Sequence, residues 1–541
     1  MDASYAATSV IPVDQDSTPL TEKGQNLPLS TIETPFAPIV GLGFDEAGLT
    51  EWNEGDFPLV DEIWELPLQE VEAWLQDLND PAEIFWPQID TSNNQRLAGA
   101  LNIMEEHAKL RSRASSPTSH EARRTWYSAP PQLHIYDSEV INILLNVARR
   151  HLSATFGIYA DFVAGETTPH ELCLAMAALG GLFCSIEGSV TIAKSLYNDA
   201  RRIHFEKTDS EPQPSSFRQA LDTVKTHILL AVYGICSGDK RSYEFTEAFH
   251  MTTRQAMRYC LQIAPSKLEP ADTRELSLAL EGLEILECYR VLLLQRPPHF
   301  TSMNYNQKQQ LPLKFDLTPL FSPTAHSTPV SGSLREVVNL GIRTWAASPR
   351  GQEYTRVPQL WKPEFIELGL ERWVSAQSSS PRTTELPSIL LYHLAHLHLQ
   401  VNLGTLQRLA RSFKANPRTP SDEKVSDIVR RCTRGPSFKA AVWHAVAMLR
   451  DIKDYVAISS RRQPEFLERL LILEPPHLPY CIYFSTLMVW YSDFVVAGAP
   501  SITGNTCIEN GIHLLGMLNL RVAKVLANAL RELFPDDDRS T

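Results

Sequence analysis

The sequence predicts an all-α fold, in which a large multi-helix domain follows a disordered acidic N-terminal segment. From residue 126 onward, apolar residues recur three or four positions apart, the spacing of one buried helix face. No stretch of useful length alternates apolar with polar residues, as a half-buried β-strand would. Residues 1–40 are rich in Ser, Thr, Pro and Gln without such a pattern, so they are expected to be disordered.

The centre of the predicted domain is a helix that is apolar on nearly every face, over residues 172–186. Such a helix belongs inside a core rather than on a surface. Thr168 is expected to cap it, with Pro169 at the first helical position and Glu171 closing a capping box.

Small residues are expected to shape the packing of this helix. Gly180 and Gly181 lack side chains, which allows a neighbouring helix to approach closely. Gly188 is expected to end the helix, and Ser189 to cap the next one.

The other helices are placed by apolar periodicity and by breaks at proline and glycine. The first follows a cap at Asp137 or Ser138, and another runs from Phe217 toward Gly238. Residues 298–331 carry several prolines and form either a surface excursion or a linker between two halves of a domain that spans residues 126–535. Later helices are expected at 241–263, 272–295, 333–346, 363–375, 386–413, 421–433, 437–458, 464–473, 478–497 and 506–533.

One apolar run, residues 479–498, has about the length of a membrane span. Asp493 lies within it, Pro479 starts it, and no basic flank would set an orientation. A helix buried in the core is therefore predicted, and no association with a membrane is expected.

Motifs of catalysis and cofactor binding are missing from the sequence. It contains no Walker loop, no glycine-rich dinucleotide motif after a strand and no GxSxG elbow, so no enzyme is predicted. No cysteines and histidines have zinc-ligand spacing, and no cofactor is expected; zinc would be expected only with zinc fingers outside this chain. The eight cysteines include no CxxC pair and are interpreted as buried free thiols.

Three histidines, His393, His396 and His398, stand close together in LLYHLAHLHLQVNL. His393 and His396 share one helix face, His398 points elsewhere, and no carboxylate within the helix completes a set of metal ligands. They are interpreted as core histidines held by hydrogen bonds, and His444 and His477 are interpreted in the same way.

The net charge of −13 is concentrated near the N-terminus. Residues 1–90 contain nineteen acidic residues against one basic residue, Lys23, a net charge of −18. Residues 41–90 hold fourteen of the acidic residues and no basic one. Repulsion between carboxylates keeps such a chain open, so that its apolar side chains stay available to a partner. The side chains assigned to this activation-like segment are Phe44, Trp52, Phe57, Trp64, Val71, Trp74, Leu75 and Leu78.

Residues 68–78 are the best candidate for a short amphipathic helix within this segment. Val71, Trp74, Leu75 and Leu78 fall at helical spacing and would fit a groove that has an apolar floor and a basic rim. The alternative is that the aromatic residues of the segment dock on the domain that follows.

Residues 91–125 form a polar linker with two basic clusters. Nine residues separate the first cluster from the second, a spacing compatible with a bipartite nuclear import signal. The clusters consist of Lys109, Arg111 and Arg113, and of Arg123 and Arg124.

Stretches of the helical domain resemble a known family. The sequences WYSAPPQLHIYDSEVINILLNVARRHLSATF and ELCLAMAALGGLFCSIEGSVTIAKSLYNDARR are similar to the regulatory domain of fungal-specific transcription factors, often called the middle homology region. The resemblance is strongest to the branch that usually carries Cys2His2 zinc fingers. It continues through SILLYHLAHLHLQVNL and PPHLPYCIYFSTLMVWYSDFVV, over roughly residues 125–535.

The resemblance implies an all-helical regulatory domain, a nuclear protein and control of transcription, often of metabolic or secondary-metabolite genes. The chain departs from this family because it lacks the zinc fingers expected before the acidic segment. DNA contact is therefore expected through a partner protein or through fingers outside this chain. A homodimer is left open.

These observations together predict a transcriptional activator that recruits the transcription machinery or a co-activator through residues 41–90. The alternative is a helical adaptor or co-regulator that binds another transcription factor without activating by itself.

Overall fold

The structure is a computed structural model, in which most residues from Asp137 onward can be described. Of the described residues, 81% are helical and none lies in a β-strand, so the all-α prediction is confirmed. Residues 1–136 lie outside this part, and with them the expected disorder of residues 1–40. The described ranges are 137–186, 188–210, 214–299, 333–349, 363–377, 386–415, 436–461, 473–497 and 502–533.

Fourteen α-helices occupy the described ranges, and one 3₁₀-helix, Gly157–Tyr159, lies between the first two. In chain order they are α1 (Ser138–Leu152), α2 (His170–Phe183), α3 (Ser189–Ser210), α4 (Phe217–Cys236), α5 (Lys240–Ile263), α6 (Pro270–Leu292), α7 (Leu334–Ala347), α8 (Pro363–Ala376), α9 (Leu386–Gln400), α10 (Leu403–Ala415), α11 (Pro436–Arg461), α12 (Leu478–Ala497), α13 (Ile502–Gly516) and α14 (Arg521–Arg531).

Helix α2 is enclosed by α1, α3 and α4, as its apolar sequence predicts. A Cβ atom added at Gly180 would lie 1.9 Å from the carbonyl oxygen of Leu144 in α1. A Cβ atom at Gly181 would lie 2.9 Å from Cβ of Ala193 in α3. Only glycine allows the backbones to approach this closely, so the predicted close approach is present on two sides of α2.

The predicted cap of α1 is confirmed, because Oδ1 of Asp137 accepts hydrogen bonds from the backbone N–H of Glu139 and Val140. The capping box predicted for α2 is wrong. Oγ1 of Thr168 instead accepts a hydrogen bond from the N–H of Gly165, within the turn that precedes α2. Helix α2 begins at His170 without a side-chain cap.

The boundary between α2 and α3 also differs from the prediction. Helix α2 ends at Phe183, ahead of Gly188, which has a φ of 85° and directly precedes α3. The hydroxyl of Ser189 donates to the carbonyl of Cys184 at 3.0 Å, so it ties the connection between the helices rather than capping α3.

Two long helices expected from the sequence are each divided in two. The 386–413 helix breaks into α9 and α10 at Asn402, whose Oδ1 accepts from the N–H of Thr405 and so starts a new helix. The 506–533 helix breaks into α13 and α14, where the carboxylate of Glu474 accepts from the N–H groups of Asn519 and Leu520. The helix expected at 421–433 lies outside the described residues, and so do the helix expected at 464–473 up to residue 472 and the loop expected at 298–331 from residue 300.

Helix α12 covers the apolar run from residue 479 to residue 497. It packs against α11 on one side and against α13 and α14 on others, and its residues 478–491 are buried apart from half-buried Tyr480. Across the described ranges, no helix is long and apolar enough to cross a membrane.

Free thiols are confirmed for the described cysteines. Seven are described, and none of them forms a disulfide. Cys173 and Cys184 are half-buried, and the other five are buried. Partial burial of the Cys173 thiol raises its pKa to about 11. Cys432 lies outside the described ranges.

Candidate functional site

The site residues predicted from the sequence lie N-terminal to the described part of the chain. This applies to all residues of the activation-like segment, Phe44, Trp52, Phe57, Trp64, Val71, Trp74, Leu75 and Leu78. It also applies to the basic residues of the import signal, Lys109, Arg111, Arg113, Arg123 and Arg124. Both assignments stay predictions.

A cluster of buried histidines lies between α9 and α11. Nδ1 of His393 lies 2.9 Å from Nδ1 of His444, and Nε2 of His393 lies 3.3 Å from a carboxylate oxygen of Asp451. The ring of His396 stacks on the ring of His444, with centroids 4.0 Å apart and planes within 9°. Helix α11 therefore supplies a third histidine and a carboxylate that helix α9 alone does not contain.

The protonation pattern of the cluster follows from its contacts. When Nε2 of His393 carries hydrogen and donates to Asp451, its Nδ1 accepts, so Nδ1 of His444 must be the donor of the pair. Nε2 of His396 is buried without a hydrogen-bond partner. The ring of His396 is therefore held by stacking on His444 rather than by that nitrogen.

His398 lies on the opposite side of α9, as predicted. Oγ1 of Thr344 lies 2.9 Å from Nδ1 of His398, and the ring of His398 lies against that of Trp345. It therefore belongs to the α7–α9 contact and not to the cluster of His393, His396 and His444.

The imidazoles of His396 and His444 are neutral, because both rings are buried. Burial lowers the pKa of His396 to about 3, with a further lowering by His393, and burial lowers the pKa of His444 well below its usual value. Within the described ranges, no group of three or more His, Cys, Asp and Glu residues is arranged to hold a metal ion. The interpretation as core histidines held by hydrogen bonds fits His393 and His444, whereas His396 lies in the core with its Nε2 lacking a hydrogen-bond partner.

Glu474 is a fully buried carboxylate that the sequence analysis missed. Its oxygens accept from the backbone N–H of Asn519 and Leu520 and from Nδ2 of Asn519, at 2.9 to 3.2 Å. Its own N–H donates to Nδ1 of His151 at the end of α1. Burial raises the pKa of Glu474 to about 7, although its hydrogen bonds lower it. It lies in a short loop without helical periodicity, so no pattern in the sequence indicated it.

An open groove runs along the outer face of α1. It has a volume of about 610 Å³ and an apolar floor that includes Ile143, Val147 and Ala160. Arg149 and Arg150 line it, and neither forms an ion pair with a described acidic residue. The sequence analysis missed this groove because α1 was assessed only for its buried face.

Comparisons of the chain with protein-family models, with curated proteins and with solved structures found no match.

Proposed function

We propose that this chain is a nuclear transcriptional regulator that activates a fungal metabolic or secondary-metabolite gene set. The observation that carries the proposal is the composition of residues 41–90, with fourteen acidic residues, no basic residue and interleaved tryptophans and phenylalanines. Charge repulsion opposes the collapse of this segment and leaves its aromatic side chains available to a co-activator that has an apolar groove and a basic rim.

The helical domain supports this proposal as the part that receives regulatory or partner input. Its buried titratable groups, such as His396, His444 and Glu474, are held inside the core rather than gathered in a cleft. The resemblance of its sequence to the regulatory domain of fungal transcription factors points the same way. A helical adaptor that binds another transcription factor without activating is the second candidate.

A tethered reporter assay tests the proposal. The full chain is fused to an unrelated DNA-binding domain in a fungal nucleus, and compared with Trp64→Ala/Trp74→Ala/Leu75→Ala and with a deletion of residues 41–90. We expect the deletion to abolish activation and the triple variant to lower it about tenfold, because the anchoring side chains are lost.

The matched control replaces apolar residues outside the acidic segment, as Ile11→Ala/Val13→Ala/Phe36→Ala. It should activate like the parent chain. If the deletion of residues 41–90 activates as well as the parent, the segment is not an activation segment. If no fusion activates although all are expressed, the adaptor is the better description.

Nuclear import is proposed to depend on the two basic clusters of residues 91–125. Replacement of Lys109, Arg111 and Arg113 by Ala should lower nuclear accumulation of the fluorescently labelled chain, and so should replacement of Arg123 and Arg124. A bipartite signal requires both clusters, so each variant alone should be impaired. Unchanged accumulation in both variants would remove this assignment.

Contact with promoters is proposed to pass through a partner protein. Residues 91–541 contain 49 basic and 44 acidic residues, a balance that offers little charge for counterion release from DNA. We expect the purified chain to bind duplex DNA weakly and without sequence preference at physiological salt. Sequence-specific binding at nanomolar concentration would show that the chain reads DNA itself.

A further inference from the structure

The groove along α1 combines an apolar floor with two arginines, for which the described part of the chain supplies no ion-pair partner. Ile143, Val147 and Arg150 are spaced four and three residues apart, so they share one face of α1. The carbonyl groups at the end of α1 contribute about half a negative charge. Arg149 and Arg150 contribute two positive charges to the lining of the groove.

Residues 68–78 of the same chain carry the complementary pattern. At 100° per residue, Val71, Trp74, Leu75 and Leu78 fall on one face of a helix, and Leu68 falls beside them. Residues 68–78 read LQEVEAWLQDL. Glu70 and Asp77 border one edge of the apolar face, and Glu72 borders the other edge.

We propose that residues 68–78 bind as an amphipathic helix in the groove along α1 of the same chain. The apolar face covers Ile143, Val147 and Ala160, and the acidic edges lie against Arg149 and Arg150. This mode, a helix with its apolar face in a groove, is a common form of peptide recognition.

The connection along the chain favours this occupant over a separate molecule. Sixty residues lead from Leu78 to Ser138 at the start of α1, and a chain of that length reaches any point of the domain surface. Tethering makes docking an intramolecular event, so its extent does not depend on the concentration of a second molecule.

The proposal is independent of whether residues 41–90 activate transcription. The reporter assay measures recruitment in a nucleus, whereas docking is measured on the purified chain. If both hold, a docked Trp74 is withheld from a co-activator, and Arg149→Glu/Arg150→Glu should raise reporter activity severalfold.

The experiment places a photoreactive residue in the groove of the full-length chain. Asn146, an exposed residue that lines the groove, is replaced by p-benzoylphenylalanine, and the cross-linked peptides of the purified chain are identified by mass spectrometry. We expect an intramolecular cross-link to a peptide that contains residues 68–78. The matched control carries the same residue at Met251, which is exposed on α5 and does not line the groove, and should not form this cross-link.

Charge exchange tests the electrostatic part of the contact. Arg149→Glu/Arg150→Glu and Glu70→Arg/Asp77→Arg should each lower the cross-link yield about fivefold to tenfold, and the combined variant should restore it. Added salt should lower the yield of the parent chain, because exposed charges are screened. The far-ultraviolet circular dichroism of each variant verifies that it is folded.

Three results would overturn the proposal. The first is that position 146 cross-links to other helices of the domain and not to residues 68–78. The second is that, in a mixture of isotopically light and heavy chains, the cross-links join two copies, which would make the groove an interface between chains. The third is that the cross-link yield stays the same after charge reversal, which would show that the arginines do not hold the segment.

Discussion

The hydroxyl of Tyr289 in α6 donates a hydrogen bond of 2.8 Å to Nδ1 of His477, a residue 188 positions later in the chain. Nε2 of His477 lies 3.0 Å from the carbonyl oxygen of Pro387, which can only accept, so this nitrogen carries the hydrogen. Burial lowers the pKa of His477 to about 4 and keeps the ring neutral. One imidazole thus joins α6 and the start of α9 to the loop before α12.

Tyr289→Phe should destabilise the domain by about 1–3 kcal/mol, because Nδ1 of His477 would stay buried without a donor. The measurement is the urea midpoint of the full chain. Tyr259→Phe is the matched control, since its hydroxyl donates to the carbonyl of Pro214 at a half-buried position that water can reach. Equal shifts in the two variants would contradict a special role for the Tyr289–His477 bond.

Gly180→Ala should destabilise the domain by about 3 kcal/mol or more, because the added Cβ would lie 1.9 Å from a backbone oxygen of α1 that cannot rotate away. Gly516→Ala is the control, since no atom lies within 4 Å of its added Cβ. It should leave stability unchanged or raise it by up to about 1 kcal/mol. The thermal midpoints of both variants give the comparison, and a mild effect at Gly180 would mean that the two helices separate easily.

Sequence patterns predicted most helices well, but their interruptions poorly. Helices such as α5, α8 and α12 have their own apolar periodicity and breaking residues, so their ends were found within a few residues. The breaks at Asn402 and before α14 were missed. Asn402 has no proline beside it that would mark the break. The break before α14 is held by Glu474, whose carboxylate accepts from the backbone N–H of Asn519, a residue 45 positions later in the chain.

Side-chain clusters were predicted only where they lie within one helix. The shared face of His393 and His396 follows from their spacing, whereas the arrival of His444 and Asp451 depends on how α11 packs on α9. The groove of Arg149 and Arg150 likewise needs Ala160 from the turn beyond α1. Periodicity contains no information about such contacts.

Acid should destabilise the domain between pH 6.5 and about 3 through its buried histidines. In this window the unfolded chain binds protons that the folded chain cannot, since burial holds the folded pKa of His396 at about 3, so stability falls as pH falls. His396→Gln should make the slope shallower by up to about 1.4 kcal/mol per pH unit. The same direction applies to His151, His204, His227, His444 and His477.

The control for this prediction is His513→Gln, at an exposed position of α13. This variant replaces an imidazole that the fold does not bury, so it is the comparison for the effect of burial. The measurement is the free energy of unfolding of the parent chain and of both variants from pH 4 to pH 7. Identical slopes for the parent and His396→Gln would show that the ring takes up a proton in the folded state.

Glu474 should act in the opposite direction to the histidines. Its folded pKa of about 7 lies above the ordinary 4.5, so its contribution to stability is complete below pH 4.5 and is lost as pH rises through 7. Glu474→Gln should therefore gain stability relative to the parent as pH rises from 4.5 to 7. Glu166→Gln, on an exposed loop, is the control, and urea midpoints at pH 5 and pH 7.5 give the measurement.

The hydrogen bond from Glu474 to His151 joins residues 323 positions apart. A ribosome that adds about 5–20 residues per second needs roughly 15–65 s to travel between them. Through most of that interval α1 and the apolar helix α2 are already synthesised, while the last helices are not. The nascent chain must therefore keep the apolar helix α2 from aggregating until synthesis is nearly complete. Shortening the chain before Asn519 should leave it dependent on chaperones.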